Sequence, residues 1–296
     1  MMIDPISIFL VLLGAATPIL FAALGELVAE RAGVLNLGVE GMMITGALAG
    51  FAAAYGTGNP FLGFLVAAIA GAAISLLFAL LTQVFLANQV ASGLALTLFG
   101  LGLAAMLGKA FEGVRAPVMP AGPLRINWII WLGLMMVPAL WWFLNRTRPG
   151  LILRAVGENH EAAHALGYDV RLTRLAAIAF GGAMAGLGGA FISIATVLQW
   201  TEGMTAGAGW IALAIVVFSN WTASGVLAGA WLFGGVTVLQ LRLQAAGVAA
   251  PVQLLSMAPY LATIIVLVAI SARQKYSRRA GTGAPGSLGT NFHALR

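Results

Sequence analysis

Few residues in this sequence could do chemistry, and the most isolated of them is Glu40, a carboxylate deep within the apolar run 33–55. Asn36 precedes it by one helical turn and shares its face if the run is helical. At about 1.5 Å per residue, Glu40 would then lie about 10 Å along from Gly33, well below a membrane surface. A charge at that depth is costly, so it either lines a route for a solute or ion, or holds protein together. In the second case Glu40 pins a broken stretch of backbone or locks two helices by bonding to amides. Both alternatives stand at this point, and Asn36 shares them.

Other candidates are weaker. His160 and His164 are four apart, a spacing at which a helix can chelate a metal, but only Glu161 or Asp169 could supply a third ligand. Polar helix surface is the plainer account, and no metal site is expected. The string GLAAMLGK invites comparison with a phosphate loop, yet Gly102 and Gly108 are one residue too far apart and no Ser or Thr follows Lys109. No ATP site is therefore expected in this chain. No Ser, His and Asp set sits in a context suited to hydrolysis, which points away from an enzyme.

The elements that must position these residues are long apolar segments. Of 296 residues, 61% are hydrophobic and 8% are charged, against roughly a quarter charged in a soluble domain. Runs of about 20 apolar residues cross a bilayer as helices, and nothing here resembles the short alternating strands of a membrane barrel. The fold class is an all-α integral membrane protein. Spans are expected at 5–25, 33–55, 61–87, 90–109, 128–144, 175–198, 226–241 and 254–270, with Glu26, Glu30 and Arg31 marking a polar turn between the first two. Residues 210–219 are too short to cross alone and read as a discontinuous or re-entrant segment, for about nine transmembrane helices in all. The first run lacks a basic leader and reads as a retained span. Gly182 and Gly186 have a small-xxx-small spacing, repeated by Gly46 and Gly50 and by Gly225 and Gly229, which predicts close helix packing.

A net charge of +6 would raise nucleic acid as a partner in a soluble protein. Here the cations fall in loops mostly on one side, and the positive-inside rule accounts for them, so lipid is expected and nucleic acid is not. Placing the polar interval 149–174 inside puts Arg31, Arg146, Arg148, Arg154, Arg171, Arg174 and the basic tail on one side. Lys109, Arg115, Arg125 and Arg242 remain outside. The N-terminus is then outside and the C-terminus cytoplasmic. The transmembrane domain is read as 1–272, and the Gly- and Ser-rich tail 273–296 as disordered. With no cysteine, disulfide and thiol chemistry are excluded.

The polar interval is itself patterned. Asn159 can cap a helix, Glu161 suits its first turn, and Gly167 can close it in a left-handed conformation. About two turns are predicted, with Ala162, Ala163 and Leu166 sharing one face. Such a helix, among so many arginines, should project into the cytoplasm with its small face outward, as a knob for another protein.

Four stretches together carry a resemblance: ERAGVLNLGVEGMMITGA (30–47), LRAVGENHEAAHALGYDVRLTRLAAIAFGGAMAGLGGA (153–190), GWIALAIVVFSNWTASGVLAGAWLFG (209–234) and APYLATIIVLV (258–268). They resemble the permease subunits of bacterial ABC importers, in the family of branched-chain amino acid, simple-sugar and nucleoside permeases. The first stretch and the compact size are most similar to the smaller permease of nucleoside or simple-sugar systems.

That resemblance implies a coupling helix made by Arg154, Gly157, Glu158, Asn159, Glu161, Ala162, Ala163, Leu166 and Gly167, within a cytoplasmic coupling loop 145–174. His160 stands where the family pattern implies a proline. It implies an interrupted helix near the translocation path at Asn36, Glu40 and Gly41. The implied partners are ABC ATPase subunits, which bind ATP and Mg, a second homologous permease forming a heterodimer, and an extracytoplasmic solute-binding protein. The implied location is the bacterial inner membrane. Two rivals remain: a branched-chain amino acid permease, and an ion-coupled secondary transporter using Glu40. A channel or structural subunit would need no coupling helix.

Overall fold

The computed structural model describes residues 5–246, 257–258, 261–262, 264–265, 268 and 283–293, and every described regular element is helical. The chain runs through α1 (Pro5–Arg31), α2 (Val39–Thr57), α3 (Pro60–Ala79), α4 (Gln89–Gly108), α5 (Trp128–Arg146), α6 (Arg148–Glu158), α7 (His160–Ala165), α8 (Val170–Ala190), α9 (Ala208–Phe218) and α10 (Ala223–Ala245). Helices α3 and α8 each end in a π-helical turn, Leu80–Val84 and Phe191–Thr196.

Among the described residues, six helices are long and apolar enough to cross a membrane. The expected count of about nine is therefore not confirmed. The region 254–270 lies mostly outside the described residues. Helix α2 is long enough at 19 residues but carries Glu40 and many Gly, Ala and Thr residues instead of bulky aliphatic ones. It is buried nearly all round, as a helix at the centre of a bundle must be.

Small residues set that centre. An added Cβ on Gly46 of α2 would lie 2.3 Å from the Cα of Gly186 in α8, and one on Gly186 would lie 2.2 Å from the carbonyl oxygen of Ala67 in α3. Gly182 meets Gly71 in the same way. Backbones so close gain dispersion contacts, which drive helix association where the hydrophobic effect is absent. Helices α1 and α8 run antiparallel, with Pro18 against Gly188, Gly25 against Gly181 and Ala32 against Arg174. Leu65, Ile69, Leu94, Leu98 and Met106 point outward, giving α3 and α4 the apolar surface that lipid requires. Trp128 and Trp142 sit exposed near opposite ends of α5, at positions suited to the two interfaces.

Two sequence-based boundaries shift. Helix α1 does not break at a polar turn; it continues to Arg31, and Glu26 and Glu30 are each 1% exposed. Each meets a buried donor: Glu26 accepts from the Asn36 amide, and Glu30 accepts from the Trp221 indole N–H through Oε2. The interruption instead occupies residues 32–38, before α2.

The C-terminal segment also departs from expectation. Residues 283–293 do not hang free but pack against the body of the protein, while the rest of 273–296 lies outside the described residues.

Candidate functional site

The break before α2 exposes backbone groups inside an apolar bundle, where each needs a partner. Neighbouring helices supply them. The Leu35 amide donates to Gln89 Oε1 at 2.8 Å, the Asn36 amide to Glu26 Oε1 at 3.2 Å, and the Thr97 hydroxyl donates to the Leu37 carbonyl at 2.9 Å. Asn36 turns its own side chain to the local backbone, accepting from the Gly38 amide at 2.9 Å. Gly41 lies where α2 crosses α4, so that a Cβ there would fall 2.6 Å from the Leu96 carbonyl. Asn36 and Gly41 thus shape the break and the crossing that follows it.

Glu40, in the first turn of α2, is 4% exposed and reaches the start of α9. Its Oε1 accepts from the Thr205 hydroxyl and, at 2.9 Å, from the Gly207 amide, while Oε2 accepts from the Gly209 amide at 2.7 Å. Gly207 has φ +82°, which turns its amide toward the carboxylate. A carboxylate at a helix N-terminus also meets the positive end of the helix dipole. Both Glu40 oxygens are thus engaged by the irregular backbone that leads into α9.

That attachment explains α9. Eleven residues extend about 16 Å, roughly half of a 30 Å hydrocarbon core. Before α9, the Leu198 carbonyl and Trp200 pack at the C-terminal end of α4, against the Ala116 amide and Gly108. After it, Trp221 bonds to Glu30 and Arg31 at the C-terminal end of α1, the same end at which α4 begins beside Leu35. Residues 200–221 therefore traverse the bundle, the first half irregular and the second half helical, joined where Glu40 holds them. The glycines of 199–209 beside a short apolar run are the sequence signal for it, and the residues that sequence reasoning missed are Thr205, Gly207 and Gly209.

Beside this joint lies a cavity of about 620 Å³ between α1, the π-turn after α8, the α9 entry and α10. Its walls are mostly apolar, with Thr196, Thr205, Thr237 and Gln240 as the polar members, and no charged side chain lines it among the described residues. A concave, partly open space with a few polar groups is the ordinary form of a small-molecule site. Its chemistry suits an uncharged solute.

At the end of the bundle where α1 finishes stands the short helix α7. Asn159 caps it, Oδ1 accepting from the Ala162 amide at 2.9 Å, and Gly167 closes it at φ +88°. The expected outward face of Ala162, Ala163 and Leu166 is split. Leu166 is 76% exposed and Ala162 is exposed, but Ala163 is 2% exposed, rooted in a small cluster with Val156, Val170 and Phe292. A six-residue helix cannot keep its shape without such packing, so one face must turn inward. Glu158 and Glu161 are exposed; Arg154 is half-buried, and Gly157 is buried against the Arg31 carbonyl.

His160 and His164 have a partner that the sequence did not suggest: both imidazoles pack edge-on against Phe292, with ring centroids 5.4 and 5.1 Å away. No group of three or more metal-ligating side chains occurs among the described residues. Arg174 is fully buried instead of solvated, donating to the Ala32 and Thr290 carbonyls and to His160 Nδ1 at 3.1 Å. A guanidinium can only donate, so Nδ1 accepts and the His160 proton sits on Nε2. Burial first, then the charge of Arg174, holds the His160 imidazole below its usual value, with Glu161 pulling weakly the other way and His293 adding a small downward push.

The family model for the permease component of branched-chain amino acid transport systems matches residues 8–270. This chain belongs to that permease family. The permease is 42% identical to TsgC13 of Haloferax volcanii, provisionally named a glucose ABC transporter permease protein, over 86% of this chain and 88% of the relative. It is 32% identical to the nucleoside ABC transporter permease protein NupC of Lactococcus lactis, over 85% and 88% of the two chains. It is 30% identical to the guanosine ABC transporter permease protein NupQ of Bacillus subtilis, over 87% and 90%. The permease is a multi-pass membrane protein and a transport component. Its relatives are named as permease proteins of ABC transporters.

Proposed function

We propose that this permease is one membrane-spanning subunit of an ATP-driven importer that carries a sugar or a nucleoside into the cytoplasm by alternating access. The carrying observation is the pairing of a capped, projecting α7 with an uncharged cavity beside a broken crossing, in a chain whose relatives are named for glucose, nucleoside and guanosine. The α7 end is then cytoplasmic, with the N-terminus outside and the C-terminus inside. Arg154, Gly157, Glu158, Asn159, Glu161, Ala162, Leu166 and Gly167 form the lever and its socket for an ABC ATPase, and Ala163 roots it. ATP and Mg are bound by that ATPase. A second homologous permease forms the other half of the pore, and an extracytoplasmic binding protein delivers the solute.

The solute passes the cavity beside Thr205, where hydroxyl and carboxamide groups offer neutral hydrogen bonds and no ion pair. Glu40 and Asn36 border the path by holding its wall in place. The engagement of both Glu40 oxygens speaks against the ion-coupled alternative, because a proton or cation site would have to displace three donors. The test is reconstitution of the permease in proteoliposomes with and without its ATPase, paired permease and binding protein. Labelled glucose and guanosine are offered in turn, with leucine as the competing class. Uptake that needs ATP and survives an ionophore supports the reading; uptake by this chain alone, abolished by an ionophore, overturns it.

A further inference from the structure

The lever has a second attachment to the bundle. Residues 283–293 cross the α7 end of the protein and bond in turn to four places that are far apart in sequence. The Gly283 amide donates to Asn220 Oδ1 at 2.9 Å, in the α9–α10 turn, where Asn220 and Trp221 both hold left-handed backbone at φ +52° and +53°. The Ser287 amide donates to the Gly157 carbonyl at 2.9 Å, and its hydroxyl accepts from the His160 amide at 3.2 Å, at the root of α7. The Gly289 amide donates to the Gly33 carbonyl at 3.2 Å, inside the break before α2. Asn291 Nδ2 donates to the Leu86 and Ala87 carbonyls at 2.6 and 3.0 Å, in the α3–α4 turn, while its Oδ1 accepts from Gln89. Phe292, 5% exposed, closes the cluster of Val156, Ala163 and Val170 from outside, between the two histidines.

Covalently, α7 is joined only to α6 and α8. A push on Leu166 would reach the break at 32–38 and the turns at 85–88 and 219–222 weakly through those connections, because a helix this short bends and frays unless packing stiffens it. The strap supplies the stiffness, with hydrogen bonds at each turn and one buried ring at α7. We propose that residues 283–293 are a positioning element for transport, tying the coupling helix to the cytoplasmic ends of α1–α2, α3–α4 and α9–α10 so that its displacement moves them together. Phe292 grips the lever, and Asn291, Ser287 and Gly283 grip what is moved. This rests on the importer reading above.

The experiment uses the complete importer in proteoliposomes and reads solute carried per ATP hydrolysed, alongside the amount of ATPase held by the permease. Phe292→Ala and Asn291→Ala retain the ATPase and its hydrolysis but lower uptake per ATP by about tenfold, a usual size for coupling between sites. Phe292→Tyr, which keeps an aromatic ring in the cluster, restores the ratio. An unchanged ratio in both alanine variants, or uptake and hydrolysis falling in proportion, overturns the proposal. Because the native chain has no cysteine, a second arm joins strap to lever at a single pair within it: His164→Cys with Phe292→Cys, bridged by a short bis-maleimide on the purified permease before the importer is assembled. If strap and lever move as one, the bridged importer still transports; loss of transport on bridging overturns the proposal even where the alanine variants fail to insert. Should wild-type uptake not need the ATPase at all, the importer reading itself has failed, a result separate from either outcome.

Discussion

Glu40 and Gly209 stand 169 residues apart in the chain and are joined by a 2.7 Å hydrogen bond from the Gly209 amide to the Glu40 carboxylate. Helix α2 begins at one partner and α9 at the other, so a single side chain fixes where two interrupted crossings meet. A Cβ at position 209 would lie 2.5 Å from the Glu40 amide, so the residue there must be glycine. The bond fastens the start of α9 to the start of α2.

Replacing Glu40 by Gln turns one acceptor oxygen into a donor that faces N–H and O–H donors. One buried donor is then left unpaired, at a cost of about 1–3 kcal/mol. Thermal unfolding of the purified permease in detergent should show a lower Tm for Glu40→Gln, and Glu40→Ala should be lower still. An unaltered Tm would mean that the carboxylate carries no structural load.

The α2–α3–α8 crossing makes a separate prediction. Gly186→Val places methyl groups where the Ala67 carbonyl lies 2.2 Å from an added Cβ, and overpacking of this kind costs about 1–3 kcal/mol or more. Folded yield after size-exclusion chromatography should fall sharply. Gly102→Ala, with nothing within 4 Å of the new Cβ, should match the parent or gain slightly from better helix propensity.

Leu166 and Ala163 should separate docking from stability. Leu166→Arg changes a residue that is 76% exposed, so the Tm should hold, with a shift within about 0.5 kcal/mol, while co-purification of the ATPase is lost. Ala163→Arg buries a guanidinium in an apolar cluster and should destabilise the permease itself. Retained ATPase in Leu166→Arg would move the contact elsewhere on the surface.

Docking of the strap should weaken in acid. His160 accepts from Arg174 as a neutral ring, and its value is held below the ordinary 6.5 by burial and by Arg174, with Glu161 opposing and His293 adding to the depression. Undocking the strap uncovers the ring from Phe292 and takes His293 away, so the undocked ring binds its proton more readily than the docked one. Docking is therefore complete above about pH 6.5 and declines as pH falls from there toward the lower docked value. His164 shares Phe292 but not the Arg174 contact. Solute carried per ATP should fall on acidification through that window. His160→Gln, which keeps an acceptor without a titrating proton, should flatten the fall; an identical pH profile in that variant would exclude His160 as the cause.

How far the sequence carries differs from residue to residue. The apolar runs foretold the helices α3, α4, α5, α8 and α10 to within a few residues, because burial in lipid depends on composition alone. Asn159 and Gly167 marked the ends of α7, since a cap bonds its own third residue and a left-handed glycine needs no distant partner.

What only the tertiary structure decided is every pairing between remote segments. Whether Glu40 faces a path or pins backbone depends on Thr205, Gly207 and Gly209, and composition says nothing of which amides will arrive beside a carboxylate. Ala163 turned inward because Phe292, from a tail that reads as polar and featureless, completes its cluster. Glu26, Glu30 and Arg174 read as solvated charges and are buried, for each meets a partner across the fold. Local chemistry chose the helices of this permease and the ends of its lever; long-range hydrogen bonds chose where the bundle breaks and what the lever grips.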